Sequence, residues 1–319
     1  MLNCPMDLPD QFPVRKTKSQ KQAFRDAVQA YAEALGYCVS VEAGRFGSRN
    51  IILGDPERAA YLITAHYDTP AASRLPNRCV PCSLSAYVLR ALASWLWIFS
   101  IGTVFGVSAA LLLGERIIPA AAFVSVFGAL VLRRIGPANV SNMNDNTSGL
   151  VTLLEIARTL PENQRHKVCF VLFDLEEAGL IGSGSHRRMH REATQSQLVL
   201  NLDCVGDGDH IRMFPTKKLR ADRRRCTSLY AACGYFGSKE ILVHEKGWYR
   251  YNSDQRSFPY GVGICALNRR KKKLYFSRIH TPKDTVLDIN NVNLLRAALT
   301  TFICRDAVNL ERKNENETL

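Results

Sequence analysis

Apolar positions in this chain fall into short uninterrupted runs, separated by glycine-bearing polar turns and by segments of helical spacing. The clearest run is Val168-Cys-Phe-Val-Leu-Phe173, closed by Asp174-Leu-Glu176-Glu177 and then by Gly179, Gly182 and Gly184. Six apolar residues in succession predict a strand buried on both faces. Tyr61-Leu-Ile-Thr-Ala65 predicts another, delivering His66-Tyr-Asp68 at its end. Further strands are expected over 37–41, 50–53, 197–202 (ending at Asp203), 241–243 and 262–267. Helical spacing marks 19–35, with Ser19 as cap, Ala23, Ala27, Ala30 and Ala34 on one face, and Gly36 as the stop. It also marks 150–160, where Leu150, Leu153, Leu154 and Ala157 share a face, a segment around His186, 219–236, and an amphipathic stretch over 290–310. Alternating strands and helices imply an α/β sheet flanked by helices, with ligands bound outside the carboxyl ends of its strands.

One region breaks this pattern. Residues 91–113 are 23 positions without a charge, and after Gly114-Glu-Arg116 a second uncharged run of 16 spans 117–132, closed by Arg133-Arg134. At 1.5 Å per residue the first run reaches roughly 34 Å, enough for a bilayer core of ~30 Å. The second reaches about 24 Å and needs snorkelling arginines or local thinning. Residues 84–134 are therefore expected to form a transmembrane helical hairpin; a hairpin buried in a dimer or against the domain is the other reading. If His66 is to join the residues after 140, both ends must return to one soluble domain. Arg74, Arg78, Arg90, Arg133 and Arg134 lie on that side, so the positive-inside rule faces the domain to the cytoplasm. The expected organisation is a tail over 1–18, a main α/β domain from 19–78 and 135–319, and the inserted hairpin over 84–134.

Composition changes this picture little. With 46% hydrophobic and 22% charged residues the 319-residue chain can bury a full core. The formal charge of +13 admits nucleic acid, an anionic membrane or acidic substrates. No nucleic-acid-binding module is present, so a nucleic-acid partner is not expected. Ten irregularly spaced cysteines point to free thiols in a reducing compartment, and the polar first twenty residues to no signal peptide. Cys79-Val-Pro-Cys82 has C-x-x-C spacing without a second pair, and reads as idle or lipidated rather than as a zinc ribbon. Nothing sets an oligomeric state.

Five places put a metal-competent or acid/base side chain at a strand end or tight turn: His66 with Asp68, Asp145, Glu176 with Glu177, Asp203, and His280. Two histidines with three or four carboxylates are the donor set for a pair of zinc-like ions with positions left for water. A spare carboxylate beside them can take a proton from that water. A ligating imidazole needs an acceptor on its second nitrogen, and a His-x-Asp pair at a strand end suits that need. His166, His186, His190, His210 and His244 have no matching partners and are assigned no chemistry.

Six motifs in order, Thr64-Ala-His66-Tyr-Asp68-Thr, Asn144-Asp145-Asn-Thr-Ser-Gly149, Phe173-Asp-Leu-Glu176-Glu177-Ala-Gly-Leu-Ile-Gly182-Ser, Asn201-Leu-Asp203-Cys-Val-Gly206, Asn252-Ser-Asp254 and His280-Thr-Pro-Lys-Asp284-Thr, make the chain resemble metallopeptidase family 28. These are co-catalytic dizinc aminopeptidases of bacterial leucyl type, with glutaminyl cyclases and glutamate carboxypeptidases as relatives. The resemblance covers about 21–308, apart from the insert. It implies a three-layer α/β/α sandwich with a mixed, mostly parallel central sheet, two zinc ions and a peptide substrate. His66 and Asp203 would bind one zinc, Glu177 and His280 the other, with Asp145 bridging, Asp68 orienting His66 and Glu176 acting as general base. The expected protein is a membrane-anchored zinc aminopeptidase; a single-zinc cyclase-like enzyme and a catalytically silent binding protein are the alternatives. Two departures stand out: Ile279 replaces a tyrosine common before the last histidine, and Gln255 a histidine after Ser-Asp. The basic run Arg269-Arg-Lys-Lys-Lys273 reads as a loop touching anionic lipid headgroups, or as a selector of acidic peptides.

Overall fold

The computed structural model describes residues 2–72 and 80–317. Arg74, Arg78 and Cys79 lie outside the described residues. The strands are β1 Val39–Ala43, β2 Arg49–Leu53, β3 Tyr61–His66, β4 Val168–Phe173, β5 Leu198–Leu202, β6 His210–Pro215, β7 Gly234–Phe236, β8 Lys239–Val243, β9 Gly261–Arg270 and β10 Lys273–Tyr275. They form one sheet in the order β1-β2-β4-β3-β5-β9-β6-β8-β7, with β10 paired to β9. The central strands β4, β3, β5 and β9 run parallel, with antiparallel neighbours on both sides.

Alternation along these strands feeds two cores. Ile63, Ala65, Phe170, Leu172, Leu200 and Leu202 point to one face, and Leu62, Cys169, Val171, Phe173 and Val199 to the other. This is why β4 reads as an unbroken apolar run. Each fully buried phenylalanine or leucine contributes about 1.5–3 kcal/mol.

On the first face lie α1 (Lys18–Ala34), α4 (Gly149–Thr159) and α6 (Ile289–Glu317), each seated by an apolar stripe such as Phe24, Val28, Tyr31 and Ala32. The cap of α1 is Thr17 rather than Ser19: its hydroxyl accepts from the Gln20 amide while the Gln20 side chain returns to the Thr17 amide. On the second face α5 (Ile181–Met189) packs His186 against Phe173 and Phe258. The architecture is the expected mixed sheet flanked by helices.

Two expectations are corrected. Of the segment 1–18 expected as a tail, residues 2–18 pack on the domain: Leu2 and Leu8 join the main core and Arg15 is completely buried. The segment 219–236 is not one helix. It breaks into Lys217–Ala221 and Arg223–Ser228, where Asp222 caps the second helix through Arg225, and it ends as β7. Pairing of β7 with β8 at the sheet edge overrides the helical spacing there. Strand β6, not foreseen, alternates Ile211 and Met213 inward against Arg212 and Phe214.

The insert is a helix pair, α2 (Leu84–Leu113) and α3 (Ile118–Ile135). Chain leaves and returns side by side: Ala71 bridges Ala138, and the Ala72 amide donates to the Pro137 carbonyl at 2.8 Å. At Gly102 an added Cβ would stand 3.0 Å from Val126, so α2 and α3 approach closely across the stripe Gly102-x-x-x-Gly106. The segment Leu84–Leu112 is long and apolar enough to cross a membrane, and few of its residues are buried. Ile118–Gly128 is a shorter apolar helix.

Candidate metal centre

Every side chain in the centre sits where regular structure ends. His66 closes β3, Asp203 follows β5, and Glu176 and Glu177 lie in the turn after β4. Asp145 occupies the irregular turn before α4, and His280 the loop before α6. Backbone at three of these points is strained: Leu175, Cys204 and His280 have φ of 55°, 57° and 59°, a left-handed conformation uncommon outside glycine. Each aims, or adjoins, a functional side chain.

Asp145 is the hub. Its Oδ1 lies 3.3 Å from His66 Nε2, and Asp203 Oδ1 is 3.7 Å from the same nitrogen. Its Oδ2 lies 2.9 Å from His280 Nε2, which is 3.3 Å from Glu177 Oε1. The two oxygens of one carboxylate therefore face two separate donor groups. Glu176 stands beside them, with one oxygen within 4.8 Å of donors on both His66 and Glu177.

Surrounding groups hold this arrangement. Asp68 accepts from the amides of Glu176 (3.0 Å) and Glu177 (3.2 Å), and its Oδ1 faces His66 Nδ1 at 3.5 Å. Asp68 thus ties the turn carrying the glutamates to His66, whose Nδ1 also faces the Asp68 backbone carbonyl at 3.2 Å. Asp284 does the same for Asp145, accepting from the amides of Asn144 (2.9 Å) and Asp145 (3.1 Å). Asn146 spans the strand ends, donating to the Leu202 carbonyl and accepting from the Cys204 amide. Arg15 pins the turns behind, donating to the carbonyls of Tyr67 (2.7 Å) and Phe12 (2.6 Å) and to Asn142 and Thr147.

The electrostatics are those of a cage for cations. Burial, reinforced by Glu177, Asp254 and Asp203, pushes Glu176 well above the usual carboxylate range, and burial also raises Glu177. Against the opposing pull of burial, Asp145, Asp203 and Asp68 hold His66 well above its ordinary value. Burial drives Asp284 and Asp254 each up to about 7. Asp203 Oδ1 has no hydrogen-bond partner among the described residues, although it is buried. Crowding carboxylates in a dry site is costly unless positive charge is supplied. Donors 2.0–2.1 Å from a tetrahedral zinc stand ~3.3 Å from one another. The contacts of 2.9, 3.3, 3.3 and 3.7 Å match that spacing, so the residues fit two zinc-like ions sharing Asp145.

All seven residues named from the sequence, His66, Asp68, Asp145, Glu176, Glu177, Asp203 and His280, thus come together. Missed were Arg15, Asp284 and Asp254; the last two lay inside recognised motifs without a role. Gln255 is buried in a network with Asn201 and Tyr251, and Ile279 packs by the cluster of Tyr251 and Phe276. Of the histidines assigned no chemistry, His186 and His190 both meet Glu42, and His210 meets Glu240.

Residues 131–302, more than half of the chain, match the family model for peptidase family M28. The chain belongs to that family. The matched segment holds Asp145, Glu176, Glu177, Asp203 and His280, while His66 and Asp68 of this M28 chain lie before the insert and are brought in by β3. No curated protein gives a significant match. Among solved structures the chain is similar to Porphyromonas gingivalis glutaminyl cyclase, at 16% identity and a TM-score of 0.59, covering 92% of this chain and 93% of that one. It is also similar to Fimbriiglobus ruber glutaminyl cyclase (17%, 0.55, 94% and 93%) and to Legionella pneumophila LapA aminopeptidase (14%, 0.52, 92% and 65%). At these identities the likeness shows the fold.

Proposed function

We propose that this M28 chain is a membrane-anchored zinc aminopeptidase that removes N-terminal residues from peptides. The observation that carries the reading is the division of Asp145, one oxygen toward His66 and Asp203, the other toward His280 and Glu177. His66 and Asp203 would hold one ion, Glu177 and His280 the second, and Asp145 both. Bound there, zinc acidifies a coordinated water and polarises the scissile carbonyl. Glu176, beside the ligand set and raised by burial well above the usual carboxylate range, takes the proton of the attacking water and returns it to the leaving amine. Asp68 keeps the His66 ring and the glutamate turn in register, and Asp284 does so for Asp145.

The anchor in this reading is the helix pair over 84–134. Leu96, Phe99, Val104, Phe105, Leu111 and Leu112 are each more than half exposed on α2, an apolar surface suited to lipid. This reading takes both helices as spans and, from the arginine bias in the sequence, faces the domain to the cytoplasm, where the exposed basic turn between β9 and β10 would meet anionic headgroups.

The cyclase reading is the second one, favoured by two glutaminyl cyclases that match this chain over 93% of their own length. One experiment separates them: incubate the purified zinc-loaded chain with a peptide library that includes N-terminal glutamine, and read it by mass spectrometry. Shortening by one residue supports the peptidase; loss of ammonia at unchanged length supports the cyclase and rejects the peptidase.

A further inference from the structure

A second group of donors lies outside this centre, at the C-terminal end of α5. Glu42 of β1 turns its carboxylate inward, where Asn50 of β2 donates to Oε1 at 2.8 Å and leaves Oε2 to two imidazoles. His186 Nδ1 is 3.1 Å from Oε2 and His190 Nε2 is 2.6 Å from it. The two histidines are four residues apart at the end of one helix, so their rings lie side by side on one face, with centroids 4.4 Å apart and planes tilted by 43°. His186 is completely buried, and its second nitrogen has no hydrogen-bond partner among the described residues. His190 is 16% exposed, and its Nδ1 is held by Glu57 at 2.5 Å.

We propose that Glu42, His186 and His190 form a separate site for a divalent cation of the zinc class. Two imidazole nitrogens and one carboxylate oxygen are a donor set that zinc accepts, with the fourth position open to solvent on the His190 side. Glu57 supplies what a ligating histidine requires, a carboxylate on the ring nitrogen that does not face the metal. Asn50 fixes the orientation of the Glu42 carboxylate in the same way. The 3.1 Å contact is already near the ~3.3 Å separation of neighbouring zinc ligands, and the 2.6 Å contact opens to it by movement of His190, the residue that ends α5.

The site would act as a clamp. It ties β1 to α5, the helix that follows the Glu176-Glu177 turn. Asn50 extends the connection, since it also accepts from the Asp174 amide and donates to the Gly182 carbonyl, both at 3.1 Å. A cation here would therefore steady the framework of the turn without touching the catalytic cage. Without a cation the same contacts are plain hydrogen bonds, and the two arrangements differ in metal content.

The test counts zinc by mass spectrometry of the full chain in detergent, after equilibrium dialysis against micromolar free zinc. Wild type is compared with H190A, and the D145A/H280A chain with the same chain carrying H190A. His190 is partly exposed at a helix end, so its removal leaves the core intact. The inference predicts one zinc equivalent fewer with H190A in both backgrounds, and a zinc-induced rise in Tm of the D145A/H280A chain that H190A abolishes. E42Q, which keeps the size of the side chain, should repeat the loss. Equal zinc content in H190A, E42Q and their parents would overturn it. A D145A/H280A chain that loses no zinc would instead reject the catalytic cage and leave this site standing. Should that double variant not fold, the wild-type and H190A pair decides.

Discussion

Replacing Asp68 by asparagine probes the link between the two halves of the centre without altering a proposed ligand. The carboxylate accepts the amides of Glu176 and Glu177 and faces His66 Nδ1. An asparagine offers one acceptor oxygen, so one of those amides must face an NH2 group instead. Hydrogen bonds to a charged acceptor contribute ~1.5–3 kcal/mol each, so D68N should lose about 2–3 kcal/mol of stability in urea melts. Loss of the carboxylate behind a ligating histidine typically weakens metal affinity or activity 10–100-fold, or about 1.4–2.8 kcal/mol. Zinc affinity, measured by chelator competition, and kcat/KM on an aminoacyl reporter should both fall in that range. The pH dependence has a definite sign. Against the penalty of burial, His66 and Lys21 hold Asp68 below the ordinary carboxylate value. Its contribution is therefore full above about pH 4 and fades as pH falls through the lower folded-state value, so the gap between D68N and wild type narrows on acidification. A D68N chain with zinc affinity and kcat/KM within twofold of wild type would refute the orienting role.

Other consequences are equally direct. E176Q should keep its zinc while kcat falls by roughly 10²–10⁴, the usual contribution of a positioned acid/base; wild-type turnover would remove Glu176 from that role. R15A should cost at least about 3 kcal/mol in denaturant melts, since a completely buried guanidinium gives up bonds to two carbonyls and two side chains; a loss under 1 kcal/mol would contradict the pinning role. Asp254 has a folded-state value of about 7 against an ordinary 3.8, so between those values the native metal-free chain holds the extra proton and stability drops as pH rises. D254N removes that penalty, and its Tm advantage over wild type in metal-free protein should be larger at pH 8 than at pH 5; an unchanged difference would count against it. Replacing 84–134 by a short linker should give a detergent-free, monodisperse chain, because Ala72 and Pro137 are already hydrogen-bonded neighbours; aggregation of that chain alongside a well-behaved full-length chain in plain buffer would oppose a lipid-facing hairpin.

Part of the centre was legible in the sequence because His66, Glu176, Glu177 and Asp203 follow short apolar strands, where an unbroken run such as 168–173 announces both a buried strand and the point at which its ligands emerge; Asp145 and His280 lie in turns and were named through the family resemblance of their motifs. The cage from His66 to His280 could be named because each donor lies in a compact local motif. Arg15 could not: a lone arginine among prolines gives no sign that carbonyls of Phe12 and Tyr67 will receive it. Glu42, Glu57, His186 and His190 were invisible for a related reason. Only sheet pairing of β1 with β2 and packing of α5 bring them together over more than a hundred residues. The misread segment over 219–236 has helical spacing, but Asp222 interrupts it as a cap and edge pairing claims its last three residues. Local pattern reports burial; it does not report which distant partner a strand edge will find.

The most direct measurement is an anomalous difference map at the zinc edge from a crystal of the full chain grown with zinc. Besides any peak between Glu42, His186 and His190, the account predicts two peaks at this centre, about 3.5–4 Å apart astride the Asp145 carboxylate, one touched by His66 and Asp203 and the other by Glu177 and His280. A map with no peak at Asp145, or with a single peak that leaves either pair of residues uncoordinated, would contradict it.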